Sequence, residues 1–481
     1  MINESKFYIF ASLVTILVNF LTLPFFTSYL SPGDYGIIAL FILFGNVATN
    51  LVSFGLNTAS YGSYFKYSIE KFKILNFSII LFLIFIFSIF GNVFIFNYAE
   101  SISSRIFNNE ISSELLRLSF LNGCLSYFYT YFGQLLIARK KAYYFSLFSI
   151  LHICINAITT FYFIKYYSYT FLAGIYGIMF ANFFAMLFVI ISNYELLTLK
   201  ISKNKLKKAI IFGIPEVPKL MVGLLYSTFD RTMLASYKGV SEIGYYEFGS
   251  RFAGIVKIFN DAIGKSFSPY FQESIHQSNH QSNMNILDSF YKIIFSLGFI
   301  GIGISYFSEE ALLVLTTEEF HVAKYLVPFL VSYYLFGSLN QLASNQFIAS
   351  EKLYYMAPIS LIGLIINIIL NIILIPLLGA LGAVISTAVV GFITTIILFF
   401  YGNKALKLPI SNYKILMIYA LIFSFLILGY PILYLEVIFI LKVLFKLLLL
   451  VLFLIIGFYL RFYNLADIYY LKNIFFNTFK E

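Results

Sequence analysis

Tryptophan is absent from the 481 residues and cysteine appears only twice, at Cys124 and Cys154. Both cysteines lie inside apolar stretches, which excludes a disulfide framework and a thiolate metal cluster. Charge is also scarce. Charged residues make up 11% of the chain, less than half of the ~25% usual in a soluble domain, while 60% is hydrophobic. A water-soluble globule is thereby excluded. There is no phosphate-binding Gly-Lys-Ser/Thr loop, no His-Glu-x-x-His and no nucleophile elbow, so neither an ATP site nor an enzyme centre is expected. A small-residue cleavage site is missing after the first apolar run, so that run is expected to stay as the first helix.

What the chain has is long apolar runs. A bilayer-spanning helix takes about 20 mostly apolar residues, and about fourteen such runs fall near residues 7–30, 35–60, 74–97, 112–135, 143–164, 170–192, 209–236, 241–268, 288–307, 323–347, 355–376, 379–402, 414–434 and 437–460. The expected fold is an all-α polytopic membrane protein. Lys and Arg number 32 against 22 Asp and Glu, a net charge of +10, and in such a protein the excess marks cytoplasmic loops and not a nucleic-acid surface. Alternate connections carry it: Lys66, Lys71 and Lys73; Arg139, Lys140 and Lys141; Lys200, Lys203, Lys205, Lys207 and Lys208; Lys404, Lys407 and Lys414; and a tail with Arg461, Lys472 and Lys480. The opposite side has Asp34, the group Glu309, Glu310, Glu318 and Glu319, and an uncharged turn near Gly379. Both termini are therefore expected in the cytoplasm.

One cytoplasmic connection, near 270–287, lacks Lys and Arg and holds the tandem His276-Gln277-Ser278-Asn279 and His280-Gln281-Ser282-Asn283. Two histidines four apart can hold a metal on a helix, but the further ligands of a site are missing. A solvated low-complexity loop is expected, with no metal and no cofactor. His152, within a span, and His321, in an outer loop, are read as structural.

Two blocks recur. Ser28-Tyr29, Asp34 and Gly36 return as Ser236-Tyr237, Glu242 and Gly244, an offset of 208 residues. Ile137-Ala138, Lys141, Tyr143-Tyr144, Ser149 and Ile155-Asn156 return as Ile348-Ala349, Lys352, Tyr354-Tyr355, Ser360 and Ile366-Asn367, an offset of 211. Each repeat holds six spans, an even number, so the halves share one topology and are expected to be related by a pseudo-two-fold along the membrane normal. The implied divisions are an N-terminal six-helix bundle (1–200), a second six-helix bundle (201–403), and spans 13 and 14 with a cytoplasmic tail (404–481).

The segment Phe212-Gly213-Ile214-Pro215 through Asp230-Arg231, then Gly244-Tyr245-Tyr246, resembles the seventh and eighth helices of Wzx-type polysaccharide flippases of the multidrug/oligosaccharidyl-lipid/polysaccharide exporter superfamily. The turn Leu30-Ser31-Pro32, Asp34-Tyr35-Gly36 is similar to their first outer loop. The resemblance covers about residues 5–400 in layout. It implies two six-helix bundles facing a central cavity, and alternating access for a polyprenyl-diphosphate-linked oligosaccharide in the bacterial cytoplasmic membrane, for O-antigen or capsule synthesis. Membrane lipids and the glycan polymerase and chain-length machinery are the implied partners.

Polar side chains line up within the apolar runs. At 100° per residue Asn46, Thr49, Asn50, Ser53, Asn57 and Ser60 of span 2 fall within an arc of about 100°. In span 8, Glu247, Arg251, Lys257, Asp261 and Lys265 fall within about 120°. The 208 offset maps Thr49, Ser53 and Asn57 onto Lys257, Asp261 and Lys265. Span 7 adds Glu216, Lys219, Asp230 and Arg231. Charge in lipid costs several kcal/mol unless paired or hydrated. These residues are therefore expected to line a hydrated cavity whose Arg251, Lys257, Lys265, Lys219 and Arg231 meet the diphosphate and sugars beside Asn46, Asn50 and Asn57. Pairing along the helix, Glu247 with Arg251 and Lys257 with Asp261 and Lys265, is the structural alternative, and Asp230-Arg231 could anchor at the interface. Asp261 leads the carboxylates for ion coupling, ahead of Asp230, Glu216 and Glu247. Lys442 and Lys446, roughly 8 and 14 Å inside the outer boundary by helical rise, suggest contact with a lipid phosphate. Pro24, Pro215, Pro218 and Pro358 are read as ordinary kinks.

A multidrug antiporter of the same superfamily is the nearest rival, but its mainly cationic substrates would be repelled by this wall of Arg and Lys. A membrane glycan polymerase would need a large outer loop, and the longest here is only about 17 residues by the spans above. Reporter fusions at residue 205 and at the C-terminus are expected to report the same side of the membrane; opposite sides would refute the fourteen-span topology.

Overall fold

The structure, a computed structural model, describes residues 2–106, 112–214, 228–276, 280–350, 352, 355–435 and 438–462. It is all-helical, with no strand among the described residues. The helices are α1 (Ile2–Thr27), α2 (Pro32–Val52), α3 (Leu56–Lys66), α4 (Ile69–Phe90), α5 (Phe96–Ile106), α6 (Ser113–Ala138), α7 (Ala142–Tyr167), α8 (Phe171–Ser192), α9 (Lys203–Gly213), α10 (228–238), α11 (Val240–His276), α12 (His280–Leu315), α13 (Val327–Leu335), α14 (Gly337–Ala349), α15 (Met356–Leu378), α16 (Ala380–Ala405), α17 (Asn412–Gly429) and α18 (Phe439–Tyr459). Among the described residues nine helices are long and apolar enough to cross a membrane, or ten if Glu318–Tyr325 with Val327–Ala349, bent by 43°, is one span. The spans expected near 7–30, 112–135, 209–236 and 241–268 fall outside that count. The third of these crosses 215–227, beyond the described residues, and α11 is charged along its length.

Two compact units form: residues 1–247 with 315–319, and residues 248–314 with 320–481. The sequence-based divisions at 200 and 403 follow the repeat, whereas the units divide within α11. The tandem histidine segment is not an 18-residue loop: α11 runs to His276 and α12 begins at His280. Residues 277–279 lie outside the described residues.

In the first unit α7 and α8 make a hairpin, α1 packs along α7, and α2 packs on α6. Phe72, Leu75, Ile79 and Leu83 of α4 join Phe132, Leu135 and Leu136 of α6 in one buried cluster. Between lipid tails such burial gives little transfer free energy, so helices associate through close packing and hydrogen bonds. The buried Tyr131 hydroxyl donates to Asn76 Oδ1 (2.7 Å), and Asn76 Nδ2 donates to Leu196 O (3.1 Å).

The first repeated block starts helices. Pro32 opens α2 behind a capping box: Ser31 N donates to Asp34 Oδ2 (2.8 Å) and Asp34 N to Ser31 Oγ (3.2 Å). Glu242, its repeat partner, lies in the first turn of α11. The two repeated glycines then meet each other's helix reciprocally. A Cβ on Gly36 would stand 1.8 Å from Val240 O, and one on Gly244 would stand 2.0 Å from Pro32 O. Because 32 and 36 map onto 240 and 244 under the same offset, the contact has the i-to-j, j-to-i form of a two-fold.

The second block ends helices. Lys141 N donates to Leu136 O and Lys352 N to Phe347 O, both at 2.9 Å, and Arg139 N to Leu135 O and Ser350 N to Gln346 O, both at 3.0 Å. All four residue pairs are related by 211. Within α7 and α15 the same offset pairs Thr160 Oγ1 donating to Asn156 Oδ1 (3.3 Å) with Asn371 Nδ2 donating to Asn367 Oδ1 (3.2 Å).

The polar arc expected along span 2 is interrupted. α2 stops at Val52, Phe54 and Gly55 take left-handed φ of 53° and 65°, and α3 starts anew, so Asn57 and Ser60 do not continue the α2 face. Thr49 and Ser53 are buried and donate to their own helix, to Gly45 O (2.8 Å) and Asn50 O (2.9 Å). Pro358 lies in the first turn of α15, where a missing N–H costs nothing and no kink follows.

Gly36→Ala is expected to lower the thermal midpoint of the purified protein, since overpacking against backbone costs about 1–3 kcal/mol. Gly303→Ala is the control. No atom lies within 4 Å of its Cβ position, and removing a helical glycine should leave stability unchanged or slightly raised.

Candidate functional site

Two pairs of adjacent residues interlock across the α10–α11 turn. Arg231 Nε donates to Glu247 Oε1, and the Tyr246 hydroxyl donates to Asp230 Oδ2 (3.1 Å). The Arg231 guanidinium also lies over the Tyr246 ring, 5.5 Å from its centroid. Asp230 is only 2% exposed. Opposite charges at short range let a low-dielectric layer hold both, because neither is left without a hydrogen-bonding partner. Glu247 thus meets a cation across the turn, a partner that i,i+4 spacing along α11 did not reveal.

Beyond this clamp Arg251, Lys257 and Asp261 of α11 are exposed, with Ile258 and Phe259 among them, and Phe252, Ala253, Val256 and Asn260 on the other side are buried. The Arg251 guanidinium lies 5.2 Å from the Phe248 ring centroid. Among the described residues no salt bridge joins Lys257 to Asp261, although they are one turn apart. Lys265 continues the helix; Glu216 and Lys219 lie outside the described residues. Asn46 and Asn50 are half-buried on α2, with Asn50 Nδ2 donating to Asn46 O (2.8 Å), and Asn57 is half-buried on α3. The expected residues are therefore spread over both units.

The second unit contains a buried charge cluster. Glu309 and Glu310 sit in the last turns of α12. Lys324 Nζ donates to Glu309 Oε1 (2.7 Å), Lys442 Nζ lies 2.6 Å from Glu309 Oε2, and Lys446 Nζ lies 2.6 Å from Glu310 Oε1 and 3.3 Å from Glu309 Oε2. Lys446 is 1% exposed. The two lysines for which the sequence suggested a lipid phosphate thus face carboxylates. Glu309 and Glu310, expected in an outer turn, end α12 instead, and Lys324 joins them without having been a candidate. The available signal was charge complementarity at similar depth: acidic residues ending one span, and lysines two turns into another.

Among the described residues no group of His, Cys, Asp and Glu is arranged to hold a metal.

Against solved structures the chain has the fold of the MOP-superfamily transporters. It superposes on the lipid II flippase MurJ, in an inward closed conformation, with a TM-score of 0.73 over 95% of this chain and 99% of that one, at 15% identity. An inward-facing multidrug resistance transporter of the MATE family matches with a TM-score of 0.58 over 81% of this chain and 94% of the other, at 14% identity. A MOP transporter of Pyrococcus furiosus gives 0.57 over 84% and 94%, also at 14%. At these identities the likeness shows fold alone. The sequence is more specific: the chain belongs to the polysaccharide biosynthesis protein family, which matches over residues 4–275. It is also 24% identical over 178 residues to the probable low-salt glycan biosynthesis flippase Agl15 of Haloferax volcanii, a match spanning 36% of this chain and 37% of that relative.

Lys446→Met is expected to lower the thermal midpoint strongly, because deleting one partner of a buried ion pair costs about 3–5 kcal/mol. The double variant Lys446→Met with Glu310→Gln should recover part of the loss. Equal destabilisation by single and double variants would show that the charges do not depend on each other.

Proposed function

We propose that this protein is a Wzx-type flippase that moves polyprenyl-diphosphate-linked oligosaccharide across the bacterial cytoplasmic membrane by alternating access, for surface polysaccharide such as O-antigen or capsule. The observation that carries it is the exposed charged face of α11, inside the stretch matched by the polysaccharide biosynthesis family. Arg251 presents a planar fork suited to two phosphate oxygens, and Lys257 a point charge beside it. Lys265 and Lys219 extend the cationic surface in this proposal, Arg231 remains tied to Glu247, and Asn46, Asn50 and Asn57 supply amides for sugar hydroxyls.

Asp261 is the coupling carboxylate of this scheme. Ionised, it screens the lysines on its helix; protonated or neutralised by sodium, it leaves them free for the diphosphate. Asp230 and Glu247 are occupied by Tyr246 and Arg231, which favours Asp261 over them. Multidrug export is the second possibility, favoured only by the MATE-like fold and opposed by the sign of the exposed charges.

Proteoliposomes supply the test. The parent protein should move a polyprenyl-diphosphate-linked disaccharide between leaflets, and Arg251→Ala with Lys257→Ala should slow it at least tenfold, since each charge-assisted hydrogen bond contributes about 1.5–3 kcal/mol. Lys203→Ala with Lys205→Ala should change little. Export of an organic cation by a protein that leaves the lipid-linked disaccharide in place would establish the rival.

A further inference from the structure

The first unit holds a polar chain through its interior that the charged face of α11 does not use. His152 lies near the middle of the 26-residue α7. Its Nε2 is 3.0 Å from Asn182 Oδ1 on α8, and Asn182 Nδ2 donates to Asn122 Oδ1 on α6 (2.9 Å). Asn122 and Asn182 are buried. The Tyr129 ring of α6 lies parallel to the imidazole, 5.3 Å between centroids and 5° between planes, with its hydroxyl 3.5 Å from Ser149 Oγ.

This environment fixes which nitrogen can titrate. Because Asn182 turns its amide nitrogen to Asn122, it offers His152 an oxygen, and Nε2 must carry a proton in either charge state. Nδ1 is then the atom that gains the second proton. Burial opposes the cation, and the two neighbours offset part of that cost: an amide oxygen accepts a stronger hydrogen bond from an imidazolium, and an aromatic face attracts it. Among the described residues, the charged groups of the helices packed on α7 lie toward the helix ends. α8 has no charged residue, and α1, which packs on α7, has none after Lys6. On α6, Glu114 is in the first turn, Arg117 reaches Phe96 O, and Arg139, just past its end, pairs with Glu195. On α7 the flanking cations are Lys141 and Lys165, at its two ends.

We propose that His152 is a proton-binding site linked to the transport cycle, with Asn182 and Asn122 fixing its tautomer and Tyr129 stabilising its cation. An imidazolium within the hydrocarbon layer is costly unless water reaches it. Proton occupancy therefore favours whichever state of the first unit hydrates α7, and that differential is what couples a proton to a conformational change. The proposal rests on the flippase function above but uses neither Asp261 nor the second unit.

The experiment uses full-length protein in phosphatidylethanolamine/phosphatidylglycerol vesicles with 15N-labelled histidine. The chain has 4 histidines, so His152→Gln identifies the His152 resonance by its loss. Glutamine keeps an amide donor to Asn182 but cannot titrate. A second variant, with Gln at His276, His280 and His321, leaves His152 as the sole histidine should the first fold poorly. The imidazole is expected to titrate over the same pH range in which flipping by the parent varies, with its midpoint displaced by polyprenyl-diphosphate-linked disaccharide. Flipping by His152→Gln should fall about tenfold and lose its pH dependence over that range, with the thermal midpoint kept. A His152 that stays neutral throughout with and without the disaccharide, or a His152→Gln protein that flips at the parent rate with the parent pH profile, overturns the proposal. If the parent does not flip the disaccharide at all, the proposed function fails, and the titration still decides whether His152 takes a proton.

Discussion

Hydrocarbon supplies no hydrogen-bond partners and little screening, and nearly every polar decision in this protein follows from that. The backbone satisfies itself mostly as helix among the described residues. Threonines and serines within spans donate to their own helix, as Thr49 does to Gly45 O and Thr27 to Leu23 O. Buried charges come in closed groups, Arg231 with Glu247 and the two glutamates of α12 with Lys324, Lys442 and Lys446. Under that constraint an exposed Arg251, Lys257 and Asp261 on one face of α11 are conspicuous, because charge in a low-dielectric layer is costly.

The same solvent weakens the usual reason for helices to associate. With apolar burial contributing little, contact distance matters most, and glycine is the residue that shortens it. Gly36 and Gly244 bring the first turns of α2 and α11 so close that each helix rests on the other's backbone. The reciprocal form of the contact explains why both copies of the motif carry glycine at one register: a side chain on either would separate the same two helices. At the other repeated block the constraint is the helix end, where matching backbone hydrogen bonds close α6 and α14.

The two kinds of charged site differ in what they can do. A cluster such as Glu309, Glu310 and Lys446 pairs its charges internally and so ties α18 to α12, with Glu310 Oε2 left buried without a hydrogen bond. The face of α11 carries Arg251 and Lys257 at exposed positions, with Asp261 on the same side, and in the proposed function these cations meet the diphosphate. His152 is a third case: a titratable ring within a span, held by an amide on one side and an aromatic ring on its face. A transporter needs the first kind for rigidity and the others for exchange.

Composition alone determined that the chain is a polytopic helical membrane protein, because too few charges remain to cover a soluble surface. The repeated blocks were legible as well, since residues at helix starts and ends must meet local rules of capping and closure, and those rules act within a few residues. The charged face of α11 was visible from helical periodicity, which depends only on one unbroken helix. Where the helix broke, at Phe54 and Gly55, the same arithmetic failed for Asn57 and Ser60. Pairing across helices was not legible: that Arg231 meets Glu247, that Lys446 meets Glu310, and that His152 meets Asn182 depend on which faces of distant segments are packed together. Periodicity gives the angle of a side chain about its own axis, and only the tertiary structure decides what stands opposite.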